Sequence, residues 1–113
     1  MSCLFCKIVA KELPADIIYE DANIIAFNDI SPQSPVHVLI LPKKHIQNVL
    51  ELTKDETPLI SDVFKVAGTL AKKYILDKDG FRIVNNTGND GGQTVNHIHF
   101  HLMGGRKFSW PPG

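Results

Sequence analysis

The chain has 113 residues, which suits one domain with a modest core. Hydrophobic residues make up 43% and charged residues 21%, a globular composition, and twelve Lys+Arg balance twelve Asp+Glu. That balance gives no electrostatic case for duplex nucleic acid or an anionic membrane as partner. No apolar run reaches membrane-spanning length and no leader is visible at Met1-Ser2-Cys3, so a cytoplasmic protein is expected.

In chain order, Cys3 to Ala10 reads as a short helix with Leu4, Phe5 and Ile8 on one side, broken by Leu13-Pro14. Ile17-Ile18-Tyr19-Glu20 is a predicted strand. Asp21-Ala22-Asn23 turns the chain into a second, Ile24 to Phe27. A loop with two prolines, Asn28 to Pro35, leads to the apolar strand Val36 to Leu41, which Pro42 is expected to end. Thr53-x-x-Glu56 fits a capping box, and Thr57 followed by Pro58 fits a helix start equally well. Leu59, Ile60, Val63, Phe64, Ala67, Leu70, Ala71 and Tyr74 then recur at helical spacing and predict one buried helix face. After the turn Asp77-Lys78-Asp79-Gly80, Phe81 to Asn85 is the fourth strand. The fifth is Thr94 to Met103. No repeat, linker or second domain is visible, so residues 1–113 are read as a single α+β domain. Its architecture is a five-stranded antiparallel sheet with one long and one short helix.

The fifth strand carries the chemistry. His97, His99 and His101 alternate with Ile98, Phe100 and Leu102. In a strand this puts the three imidazoles on one face and the apolar residues on the other. A half-exposed strand bearing polar histidines is the plain alternative. A metal shared by all three is unfavourable on a regular strand, because His97 and His101 would stand about 13 Å apart. The third possibility is a central nucleophilic histidine with flanking histidines that orient it and move protons. The loop just upstream, Asn85 to Thr94, favours it. Its glycines permit close backbone approach, and successive amides there could cradle an anion such as a phosphoryl group.

The run Asp90-Gly91-Gly92-Gln93-Thr94-Val95-Asn96-His97-Ile98-His99-Phe100-His101-Leu102-Met103-Gly104-Gly105-Arg106, with the ending Trp110-Pro111-Pro112-Gly113, resembles the histidine-triad (HIT) nucleotide-binding proteins. Within them it looks like the Hint branch. The resemblance extends over essentially the whole chain and implies the same α+β fold, its sheet continuing across a homodimer. It implies a purine nucleoside phosphoramidase that hydrolyses the P–N bond of adenosine 5′-phosphoramidates, such as AMP-NH2 or AMP-lysine. AMP and GMP are then ligands. His99 would be the nucleophile, forming a covalent nucleotidyl-histidine. His101, with His37 and Thr94, would protonate the departing amine, and His97 would flank the nucleophile. Amides of Gly92 and Gln93 and the Asn86 side chain would hold the phosphate and the site. Asp29 would bind the ribose, where on its own it reads as a turn-stabilising acid. Leu13, Phe27, Ile30 and Leu39 would line the base pocket. Catalysis would need no cofactor. The Trp110 segment would reach the partner's site.

Cys3-x-x-Cys6 has the spacing of a zinc half-site, and equally that of two free thiols on a short helix. Some HIT proteins with this pair hold a structural zinc with two histidines, which here correspond to His45 and His97. Other functions consistent with the same residues are a nucleotide-binding regulatory or scaffold protein with little turnover, a dinucleoside polyphosphate hydrolase, and a small zinc-dependent hydrolase.

Overall fold

The structure, a computed structural model, describes residues 3–113; Met1 and Ser2, on which the leader expectation bears, lie outside the described residues. Five strands form one antiparallel sheet: β1 (Ile17–Glu20), β2 (Ile24–Asn28), β3 (Val36–Pro42), β4 (Phe81–Asn85) and β5 (Phe100–Gly104). Their spatial order is β1-β2-β3-β5-β4, so β5 is inserted between β3 and β4.

Alternation along the strands gives the sheet two working faces. Ile24, Ala26, Val38, Ile40, Phe100 and Leu102 point to one side. There the long helix α2 (Thr57–Lys73) packs Val63, Val66, Ala67, Leu70 and Ala71 against them. Ile25, Phe27, Leu39 and Leu41 point to the other, where the short helix α1 (Leu4–Val9) covers them with Phe5 and Ile8. His37 and His101 are on this second face, because β3 and β5 pair Leu39 with His101 and His37 with Met103. One strand pair therefore supplies both core and site.

Several boundaries differ from expectation. Pro42 does not lie beyond the end of β3 but is its last residue, paired with Ile24. Phe64 leaves the buried face of α2; it is 49% exposed and stands edge-on to Phe100, at 5.7 Å between ring centroids. Only the Glu half of the expected capping box forms, one turn ahead of the helix: Glu56 accepts from the Thr53 amide (3.0 Å) and hydroxyl (2.6 Å), while its own amide bonds to Thr53 O (3.1 Å). The two Thr53 donors and Lys44 push the Glu56 carboxyl down to about 2, the Thr53 side-chain hydrogen bond being the largest cause. At the other end of α2 the Leu76 amide bonds to Ala71 O and the Ile75 amide to Lys72 O, the Schellman arrangement. Its left-handed position is filled by Ile75 (φ 58°) rather than glycine. A 3₁₀ turn at Val49–Glu51 and a single helical turn, α3 (Gly88–Gly91), were not visible in the sequence.

The largest departure concerns the histidine strand. It begins at Phe100, not Thr94. Upstream, the Ile98 amide bonds to Ile46 O at 2.6 Å, so residues 94–99 are drawn onto the connection after β3 instead of continuing the ladder. His97 and His99 consequently precede the regular strand.

Candidate active site

The three imidazoles still form a row, but each is held differently. His99 is buried, and its Nδ1 donates to the carbonyl of His97 at 2.7 Å. A carbonyl only accepts, so Nδ1 carries the proton and Nε2 keeps its lone pair. The Phe5 ring stands edge-on to His99 at 5.0 Å between centroids, interplanar angle 89°. Asn85 Nδ2 donates to His99 O at 2.9 Å. Burial is the main cause of a lowered His99 basicity, against an opposing pull from the His97 carbonyl and Asp29. The ring thus stays neutral near neutral pH, as a nucleophile requires.

His101 lies 5.2 Å from His99 between ring centroids. Its Nδ1 is 2.9 Å from His37 Nε2, whose own Nδ1 accepts from the Gln33 amide at 3.0 Å. Burial first, then the neighbouring His99 and His37, pulls His101 down to about 4. His37 is also lowered by burial, with Asp29 opposing. Asp29 Oδ2 lies 3.4 Å from His37 Nε2. Its Oδ1 accepts from the Ser31 amide at 2.8 Å, so the turn-stabilising role is real and leaves the other oxygen toward the histidines.

His97 belongs to a second cluster. It is fully buried, and Nε2 donates to Pro42 O at 2.7 Å, which leaves Nδ1 as an acceptor. That nitrogen lies 3.5 Å from Cys3 Sγ, 3.6 Å from Cys6 Sγ and 3.3 Å from His45 Nδ1; Cys6 Sγ to His45 Nδ1 is 3.3 Å. Tetrahedral zinc with ordinary bond lengths sets its ligands about 3.3 Å apart for N–N and about 3.5 Å for N–S. The four residues fit such an ion, and their donor set is that of a closed structural site. Without a cation, burial and the adjacent Cys3 push the Cys6 thiol up to about 11.

A cavity of about 390 Å³ opens beside the row. It brings together Leu13, Phe27, Ile30 and Leu39, as the sequence led us to expect, with Asp29 and Thr94 at its polar end. Phe5 and Val95 complete the wall. Ile30 is 98% exposed and forms rim rather than wall.

The upstream loop differs from the expected cradle. The Gly92 amide bonds to Asn89 O (3.1 Å) and the Gln93 amide to Gly88 O (3.0 Å), so neither is free for an anion. The Gln93 side chain staples the loop, donating to Gln47 O and Val95 O and accepting from the Gly88 amide. The side-chain amide of Asn85, the residue before Asn86, closes on the backbone of His99. Asn85, Gln33 and the Pro42 carbonyl went unnoticed in the sequence. Only the β4–β5 register, which pairs Asn85 with Phe100, could have pointed to the first.

An α+β sheet carrying a buried histidine row beside an apolar cleft defines the class of protein. The model of the HIT domain family matches residues 10–108. A HIT-like protein of Synechococcus elongatus, described as uncharacterized, is 47% identical over 110 residues, covering 97% of this chain and 96% of that one. Among solved structures, a HIT family hydrolase from Legionella pneumophila superposes with TM-score 0.97 at 48% identity, covering 99% of this chain and 100% of that one. A HIT family hydrolase from Clostridium thermocellum gives 0.93 at 44%, covering 96% and 94%. The chain belongs to the HIT domain family, and its fold is that of HIT family hydrolases.

Proposed function

We propose that the protein is a nucleoside phosphoramidase of the Hint type, acting on purine nucleoside 5′-phosphoramidates such as AMP-NH2 and AMP-lysine. The observation that carries this is the His99 tautomer. Its proton is tied to His97 O, so Nε2 keeps its lone pair, and Phe5, which stands edge-on to that ring, also lines a cleft sized for a base. In the first step His99 Nε2 bonds to phosphorus as the P–N bond breaks. The nitrogen leaves as a neutral amine, because it is protonated in the reacting form of the substrate. His101 donates a hydrogen bond to the phosphoryl group as charge builds. In the second step water bonds to phosphorus, the Nε2–P bond breaks, and one proton passes to solvent. Nucleoside monophosphate and neutral His99 result; the intermediate divides one hard displacement into two. Asp29 Oδ2 suits the ribose hydroxyls, and Leu13, Phe27 and Leu39 suit a purine face.

We further propose that Cys3, Cys6, His45 and His97 hold zinc. When bound it supplies no step of the reaction; it anchors His97, whose carbonyl holds His99. One zinc per chain in untagged wild-type protein and none in Cys6→Ser is the expected metal content. A homodimer is also proposed, supported by β4 at the sheet edge with Phe81 exposed and by the uncovered Phe64 on α2. Trp110, 81% exposed, would then act on substrate choice.

The deciding experiment is mass spectrometry of protein quenched during turnover of an adenosine phosphoramidate. An added AMP on His99 is expected, and His99→Ala should bind AMP yet turn nothing over. Full turnover by His99→Ala would end the assignment.

A further inference from the structure

The Gly104-Gly105-Arg106 turn at the end of β5 is not part of the cavity's lining, yet it is built against the loop that faces His37. Arg106 Nε donates to Gln33 O at 3.1 Å. The guanidinium is held for this by its own contacts, with the Phe108 ring 4.2 Å beneath it and Lys107 O accepting from its Nη1. Gly105 (φ +92°) lies so close to Pro35 that a Cβ there would fall 2.8 Å from Pro35 Cβ. Both contacts press on the short segment between Ser31 and Val36. From that segment the Gln33 amide points at His37 Nδ1, 3.0 Å away.

A backbone amide can only donate, so His37 Nδ1 must accept, and the proton of neutral His37 sits on Nε2. His37 Nε2 lies 2.9 Å from His101 Nδ1. With the proton already on Nε2, His37 is the donor of that bond and His101 Nδ1 the acceptor. Neutral His101 is then protonated on Nε2. Polarity runs one way along the chain, from Gln33 through His37 to His101, and ends in an N–H. The reverse tautomers would set two N–H groups, or two lone pairs, against each other. Besides His101, the charged group facing His37 is Asp29, an acceptor that also favours a proton on Nε2.

We propose that the Gly105-Arg106 turn is a positioning device. It clamps the Gln33 loop so that one backbone amide sets the tautomer of His37 and, through it, makes His101 a hydrogen-bond donor toward the reacting group. Arg106 is thus a positioning residue that acts through Gln33. Its kinetic consequence rests on the phosphoramidase assignment; the tautomers themselves do not.

The test reads the tautomers directly. Protein labelled with ¹⁵N-histidine is examined without substrate near neutral pH by long-range ¹H–¹⁵N correlation. Wild type should show His37 and His101 each protonated on Nε2 only. Arg106→Ala, an exposed site that leaves the core intact, should give His37 resonances of mixed tautomers. Arg106→Lys, which keeps a donor within reach of Gln33 O, should restore the pattern in part. Gln33→Ala keeps the backbone amide and should retain the wild-type pattern, whereas Gln33→Pro removes it and should not. In turnover, Arg106→Ala should lower kcat roughly tenfold, the size of one hydrogen bond, with KM unchanged. A wild-type His37 protonated on Nδ1, or a wild-type tautomer pattern in Arg106→Ala, overturns the proposal. If phosphoramidates prove not to be substrates, the spectra still decide it.

Discussion

Acidification should strip stability from this fold through His101 in a measurable amount. Its ring is held down to about 4 against an ordinary value of 6.5, burial being the first cause and the nearby His99 and His37 the next. Below pH 6.5 the unfolded chain takes up a proton that the folded chain refuses. Stability is therefore fully present above 6.5, falls as the pH drops toward 4, and levels off beneath it. At about pH 5 the unfolded histidine is almost wholly protonated and the folded one only about a tenth. The linkage relation then gives a loss of about 2 kcal/mol relative to about pH 7.5. His37, His97 and His99 are lowered too, mainly by burial, and add to the slope. His101→Gln removes its share together with its coupling to His99 and His37. Urea unfolding of both proteins at the two pH values measures it. The acid-induced loss should be smaller in His101→Gln by about 2 kcal/mol. An equal loss in the two proteins would show that the folded His101 titrates normally and that its packing does not exclude the charge.

Three further outcomes follow from the packing. Ile75→Gly should raise stability by about 1 kcal/mol, since Ile75 closes α2 at φ 58° while mostly exposed, and a left-handed β-branched residue is strained there; thermal unfolding reads this. Phe5→Ala should cost about 3–5 kcal/mol in urea unfolding, because the ring is buried against Phe27 (5.5 Å between centroids) and braces His99. Thr53→Ala should lose about 1 kcal/mol in the same assay by removing the hydroxyl that donates to Glu56 and accepts from the Asp55 amide, and AMP binding should be untouched.

Much of the architecture was readable because its signals are local. Alternation in Val36 to Leu41 and the helical spacing of Val63, Ala67, Leu70 and Ala71 each report a face without reference to distant residues. The apolar cleft was readable for a different reason, the family likeness of Leu13, Phe27, Ile30 and Leu39. What escaped was set by backbone groups far apart in the chain. Alternating histidines imply a strand from Thr94, but the Ile98 amide finds Ile46 O and withdraws that segment from the sheet. Glycine and polarity marked residues 85–94 as a loop able to bind an anion. They do not say that Gly92 and Gln93 have already used their amides internally. That Asn85 closes on the His99 carbonyl depends on the β4–β5 register, which the sequence does not show. The Gln33 amide carries no side-chain signature at all.

The two-sided use of β5 also bears on how this protein can fail. Phe100 and Leu102 seal the core while His101, between them, looks the other way. A slip of one residue against β3 would turn an imidazole into the oil beneath α2 and send Leu102 out to water. A one-residue slip therefore cannot spoil the site and spare the core: the two are lost together.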